Sequence, residues 1–533
     1  MEITQWNPSR EYTKLETLLM KRVQRNKKLF SFLRAYRHEL FDEEFQEELA
    51  SMYRDTGAGK EPVTPAIMAM ALLLQAYTGA SDAETVELTM VDMRWQMVLG
   101  NLGDTTPAFS QGAFWDFRER LIHNDMDRRL LEKTRDLARK TKAFDWKKLP
   151  KKVRVAMDSA PLQGAGRVED TINLLAHAAR KVVVCAANLL GCTFEEVATN
   201  AGIPLLLASS VKAGLDMRWD RPGAANEGLQ HLTAQLDSLE AWVERRLRDA
   251  APSPRMSAHL GTLSQIRSQD LEPDPSDGGV RIRRGVAPDR RVSIEDREMR
   301  HGRKSKSHRF NGYKRHIAVD LDDGLILACA LAPANQAEHE AAAALNEDIE
   351  RQGAQIESLY IDRGYITSPV VNQVLDRKGT IVCRPWSASH NGELFSKSDF
   401  KLDMRSKTIT CPAGQTKPIE LGKSVDFDAA VCDECCLRSQ CTIAKPGRGR
   451  SVHIAKDERL QHHLRKKLAS SRGRAELRAR VPVEHKLAHI CHRQGRRARY
   501  RGVRKNLFDV RRAASIQNME TIQRTMAMER NTA

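Results

Sequence analysis

Between residues 312 and 385 the sequence alternates β-rich and helical runs in a fixed order, and that order narrows the fold more than any other feature. "GYKRHIAVD" and "LILACALAP" flank the turn "LDDG", and an Asp-Gly pair between two β-rich runs predicts a hairpin. Helical "EHEAAAALNEDIERQ" follows, then the strand of "IESLYIDRGYI", helical "SPVVNQVLDRKG" and another strand in "TIVCRP". A first strand lies far upstream in "KKVRVAMDSAPL", so the helix-like sequence in between is an insertion. The expected fold class is α/β: a mixed sheet with an inserted helical region, preceded by an all-helical N-terminal domain.

The expected units follow from these changes of texture. Residues 1–148 carry spaced apolar positions with helix-start signals at Thr64, Ser81 and Ser110, which predicts a helical bundle with DNA docking as its candidate role. Residues 149–164 and 281–400 supply the sheet-bearing core, and residues 165–280 the helical insertion, closing in the linker-like "DLEPDPSDGG". A cysteine-rich insert over 401–455 and a basic helical part over 456–533 complete the chain.

Two aspartates, Asp158 and Asp362, each follow an apolar strand-like run, and strand tips in helix-flanked sheets are where ligands bind. Pro161 is expected to stop the first strand just beyond Asp158. An aspartate at a strand end often only caps the next turn, so the pair gains meaning from partners. If the first and fourth strands are neighbours, the two carboxylates meet. Hard divalent cations take oxygen ligands, and two ions about 4 Å apart can clamp the attacking and leaving oxygens of a phosphodiester. Such a site wants a third acid. Glu484, in "ELRARVPVEHKLAHI", falls in the first turn of a helix opened by Pro482, although an acid there also simply complements the helix dipole. Asp170 is a weaker rival for the first acid, because no strand precedes it.

Lys+Arg number 86 against 69 Asp+Glu, a net charge of +17 that favours a polyanionic partner. Residues 451–533 hold 21 lysines and arginines and only 7 acids. Their densest run, "HRQGRRARYRGVRKN", is interleaved with Tyr500 and Phe508, which suits a folded phosphate-binding surface. Arg493, Arg496, Arg497, Arg499 and Arg501 are its candidate DNA contacts, together with Arg480 and Lys486. A second cationic loop, "REMRHGRKSKSHRFNGYK", adds Lys304, Lys306 and Lys314. No apolar run reaches membrane-spanning length, and a cytoplasmic location without a membrane partner is expected. Ten cysteines then read as thiols or metal ligands. Cys411, Cys432, Cys435 and Cys441 suit a tetrahedral zinc site, with reduced structural thiols as the alternative.

"PAIMAMALLLQAYTGASDAETVE", "VAMDSAPL", "FNGYKRHIAVD" with "LAPANQAEH", "YIDRGY" and "VEHKLAHICHRQGRRARYRG", in that order, resemble the DDE-class transposases of bacterial insertion sequences, in particular the subgroup numbered eleven-eighty-two. The resemblance implies an RNase H-like catalytic core in which Asp158, Asp362 and Glu484 bind two Mg²⁺ ions, with Mn²⁺ as a substitute. It further implies recognition of terminal inverted repeats in double-stranded DNA, cleavage and strand transfer at target DNA, homo-oligomers on paired ends, and no nucleotide cofactor. Related transposases carry a Tyr, Arg, Glu, Lys signature around the third acid. Here Arg480 and Glu484 keep its spacing, while Leu477 stands where tyrosine would and Cys491 where lysine would, leaving Lys486, His492 or Arg493 as substitutes. An RNase H-like nuclease without strand transfer, or a DNA-binding protein with a decayed site, are the rival expectations.

Overall fold

Extended chain sends successive side chains to opposite faces, and strand β1 (Lys152–Gln163) uses both. Val153, Val155 and Met157 enter one hydrophobic core, while Ala156, Ala160 and Leu162 enter another. The computed structural model describes residues 3–53, 61–141, 144, 151–247, 253–275, 279–305, 307–387 and 392–532. Around β1 stand β2 (Arg300–Arg303), β3 (Arg309–Asp320), β4 (Ile326–Pro333), β5 (Gln355–Tyr360) and β6 (Thr380–Val382). The order is β4–β3–β1–β5–β6, with β2 beside the start of β3. β3 runs antiparallel to both β1 and β4, and β5 and β6 extend the sheet in parallel with β1. This is the mixed sheet expected from the order of elements. The β3–β4 hairpin turns where "LDDG" stands, with Gly324 at φ +71°.

β1 departs from expectation in one respect. It continues through Pro161, which pairs with Lys314 of β3, so Asp158 lies inside the strand and not at its tip. The pairing of β1 with β5 ends at Ala156 and Tyr360, which leaves the far half of β1 an edge, and edges tolerate proline.

Helices cover both faces. Glu338–Arg351 and Pro369–Asp376 pack on the Val153 side through Ala342, Leu345, Ile349, Val370 and Val374. On the Ala156 side lie Val481–Gln494, through Val483, Leu487 and Ile490, and the terminal helix Val503–Thr532, through Val510, Ala513 and Ala514. That terminal helix has a second buried face. Phe508, Ile516, Met519 and Ile522 join the core of the N-terminal helices, which span Lys14 to Lys140. Within that bundle, Pro65–Thr78 is buried almost throughout, opened by Pro65 in its first turn and ended by Gly79 at φ +81°.

The insertion between β1 and β3 has its own core, built from Thr171–Leu190, Ala224–Arg246 and Pro254–Asp270. Asp170 caps the first of these helices at the Asn173 N–H, which gives it a structural task away from the other acids. The stretch read as a linker begins as a small hairpin, Leu271–Pro273 pairing with Val280–Ile282. Among the described residues no single helix is long and apolar enough to cross a membrane. A bent pair, Thr171–Leu190 with Phe194–Asn200, passes by composition and is packed into the insertion core.

Candidate active site

Register brings the two aspartates together. Ala156 is level with Tyr360 across the parallel β1–β5 pair, and two residues further along each chain come Asp158 and Asp362, on the same face. That face is the one covered by Val481–Gln494, whose first turn carries Glu484. The sheet and the helix thus deliver three acids whose first and last members are 326 residues apart in sequence.

One cation ties them together. The guanidinium of Arg480, just ahead of the helix, lies 3.6 Å from Asp158, 3.3 Å from Asp362 and 2.8 Å from Glu484. Asp158 is the buried member, its side chain 15% exposed against 57% for Asp362 and 54% for Glu484. Burial pushes the Asp158 carboxyl up to about 6, opposed by Arg480 and by the Ser159 N–H, which donates to its Oδ1 at 2.8 Å. The neighbouring Asp362 and Glu484 push the same way as burial. With Arg480 among them, the acids do not form a preassembled metal cage: among the described residues no group of three His, Cys, Asp or Glu side chains is placed to hold a metal ion.

Two cavities meet at this cluster and share Glu338, Asp362, Arg480 and Glu484 in their walls. One, of about 660 Å³, also contains Asp158, Arg303, Lys304, Lys314 and Cys491. The other, of about 890 Å³, contains Arg363, Arg384, Arg474, Leu477 and Arg478. The acids are therefore flanked by cations on both sides. Beneath them, His316 and Tyr365 share a buried hydrogen bond of 2.6 Å. Burial drives His316 down to about 3, so it is neutral, and raises the Tyr365 phenol.

The cations singled out in the sequence divide into two groups. Lys304 and Lys314 line the smaller cavity, where Lys314 also donates to the Gln336 carbonyl, and Lys306 lies outside the described residues. Lys486 turns away from the acids and donates to Thr521 on the terminal helix; burial lowers its ammonium to about 8. Arg493 pairs with Glu520, Arg501 with Glu295, and Arg497 and Arg499 donate to the carbonyls of Ala165 and Ala80. Arg496 is exposed, and its carbonyl accepts from the N–H of Gln163 at the end of β1. Leu477 and Cys491, the two departures from the signature, each face one cavity, and His492 is exposed.

Sequence reasoning missed Glu338, Arg303, Arg363, Arg384, Arg474 and Arg478. In sequence Glu338 is an ordinary first-turn acid, and the arginines come from stretches far apart, around 303, 363, 384 and 474–478, so only the fold gathers them. Cys411, Cys432, Cys435 and Cys441 do converge, on a separate cavity of about 30 Å³ walled by Phe395 and Phe427. All four are free thiols.

Comparison with known families gives two matches. Residues 286–519 match the transposase DDE domain, and residues 18–120 match the transposase domain DUF772. No match was found among curated proteins or among solved structures. The first match spans β2 to β6 and the helices bearing Glu484 and the sheet-facing terminal residues, and the second covers the N-terminal helices packed against that same terminal helix. The chain thus carries two transposase domains, a DUF772 domain followed by a DDE domain.

Proposed function

We propose that this protein is the transposase of a bacterial insertion sequence of the eleven-eighty-two subgroup, which binds the element's terminal inverted repeats, cuts the DNA there and joins the ends to a target. The observation that carries the reading is the meeting of Asp158, Asp362 and Glu484 on one guanidinium between two cation-lined cavities. A phosphodiester backbone needs cations along its length and a concentrated negative site only where it reacts.

Asp158, Asp362 and Glu484 would hold two Mg²⁺ ions, with Mn²⁺ as substitute. The donor set fits, since three carboxylates without a softer ligand suit these cations, and the three acids already gather around one positive charge. Such ions, when bound, activate the attacking oxygen and stabilise the departing one. The rest falls to the chain itself. Lys304, Lys314 and Arg303 on one side, and Arg384, Arg474 and Arg478 on the other, hold phosphates so that the scissile bond lies over the acids. Arg480 compensates the acids' mutual repulsion before DNA arrives. Cutting and joining then differ only in the nucleophile, water in the first and the 3′ hydroxyl of the cut end in the second.

The six units proposed from the sequence supply the remaining tasks: residues 1–148 read the DNA ends, the core carries chemistry, and the protein works as a homo-oligomer on paired ends in the bacterial cytoplasm. A structural zinc ion at Cys411, Cys432, Cys435 and Cys441 is a separate proposal, supported by their soft-donor chemistry and shared cavity, and it requires the thiols to close in on the ion, since no three of them are placed to hold one. Metal analysis of freshly purified protein finding no zinc overturns it.

The function is tested by incubating the protein with Mg²⁺ or Mn²⁺, a labelled duplex carrying the element's ends, and a target plasmid. Nicking at the end followed by label appearing in the plasmid is the expected result. Nicking with no joined product under any metal condition would instead favour the nuclease, and binding without nicking the decayed site.

A further inference from the structure

A fourth carboxylate stands in this site. Glu338 opens the helix after β4 and contributes to the walls of both cavities. Its Oε1 accepts a hydrogen bond from Ser159 Oγ at 2.5 Å, a short charge-assisted contact, and Ser159 is the residue whose backbone N–H holds Asp158. Its other oxygen lies against the turn that follows Asp362. A Cβ added to Gly364 would collide with Glu338 Oε2, and the three atoms such a Cβ would meet first all belong to Glu338. Gly364 does not have a positive φ, so its missing side chain is explained by that carboxylate and not by backbone strain. Among the described residues Glu338 has no cation within ion-pairing distance, which sets it apart from an acid kept for a surface salt bridge.

We infer that Glu338 is a positioning residue that fixes the spacing of Asp158 and Asp362, gripping the first through Ser159 and resting on the second through the bare backbone of Gly364. The two aspartates come from neighbouring strands at a point where strand pairing has already ended, since the β1–β5 pairing stops at Ala156 and Tyr360. Beyond that point backbone hydrogen bonds no longer set their separation. Glu338 bridges the gap, reaching β1 with one oxygen and the β5 turn with the other. The inference rests on the proposed reading of these acids as the metal-holding centre.

The test uses the full-length protein and two readouts: the Mn²⁺ concentration that half-saturates its thermal shift without DNA, and the rate of end nicking. Glu338→Ala and Gly364→Ala should each raise the half-saturating Mn²⁺ and slow nicking about 10- to 100-fold, since misplacement of a catalytic group by about 1 Å costs on that order. Glu338→Gln should be milder than Glu338→Ala, because its amide oxygen still accepts from Ser159. The decisive variant is the double one. Alanine at 364 collides only with Glu338, so Glu338→Ala with Gly364→Ala should be no worse than Glu338→Ala alone. Additive losses in the double variant would overturn the inference, as would a Mn²⁺ response in Glu338→Ala equal to that of the unsubstituted protein. Asp362→Asn, run alongside, separates the two failures. If it too leaves the Mn²⁺ response unchanged, the metal-centre reading is what fails; if it abolishes the response while Glu338→Ala does not, only the role of Glu338 fails.

Discussion

The densest basic run of the chain and the cations around the acids have opposite fates. In that run and the helix that continues it to Arg512 most charges are engaged inside the protein: Arg504 and Arg511 reach Asp125 and Asp127, Arg511 also reaches Asp348, Lys505 pairs with Glu119 and Arg512 with Asp509. Most of these pairs bind the N-terminal helices to the terminal helix that lies on the sheet. Around the acids, Arg303 and Lys304 of one stretch, with Arg384 and Arg478 from two other stretches, are exposed and make no ion pair among the described residues. The densest basic run therefore marks a seam between two parts of the fold, and the surface offered to a polyanion is assembled from three stretches that only the fold brings together.

The largest effect should come from breaking the seam. Arg511 is 5% exposed and its three aspartate partners include Asp127, itself buried. Arg511→Met leaves those carboxylates without their cation and should cost about 3–5 kcal/mol, read as a fall in the thermal unfolding midpoint. A midpoint equal to that of the unsubstituted protein would mean that the run is a solvated face after all. The exposed set should respond in DNA binding instead. Arg384→Gln together with Arg478→Gln should leave the unfolding midpoint in place and reduce the slope of log DNA affinity against log salt by about 2, close to 0.9 for each phosphate no longer neutralised. An unchanged slope would remove the larger cavity from the DNA path.

Lys486 gives the smallest and sharpest contrast, because it sits in the basic region and yet is buried against Thr521. Burial lowers its ammonium from 10.5 to about 8, with Arg524 adding to the shift. A lysine lowered in this way binds its proton less well folded than unfolded, so stability falls as pH drops from about 10.5 to about 8 and the penalty is complete below that. Lys486→Met should therefore stabilise the protein by about 1–2 kcal/mol at pH 7, and the gain should shrink as the pH approaches 10.5. A loss of stability at pH 7, or a weaker grip on DNA, would show that the ammonium is needed where it stands.

Much of the sheet was legible because strand periodicity and turn chemistry are local. "LDDG" between two β-rich runs fixed the β3–β4 hairpin, and the alternation in "KKVRVAMDSAPL" located β1. Its length was not legible, since Pro161 reads as a stop unless one knows that β5 ends early and leaves an edge there. The three acids were found by their local settings, and their meeting follows from the parallel register of β1 with β5. Glu338 could not be found in this way. A glutamate in a first helical turn has an adequate local explanation, and its approach to Ser159 and Gly364 exists only once strands distant in sequence lie side by side. The fate of each cation was hidden for the same reason: Arg504 meets its partners nearly 400 residues away.

The most direct measurement compares single-turnover nicking of an end-labelled duplex from the element by the unsubstituted protein and by Asp362→Asn, in Mn²⁺ and at equal DNA occupancy. DNA binding should survive and nicking should fall by about a thousandfold or more, as removal of a carboxylate that holds the catalytic cations requires. Nicking at an unchanged rate would contradict a metal-holding role and would return Asp362 to that of a turn residue at the end of a strand.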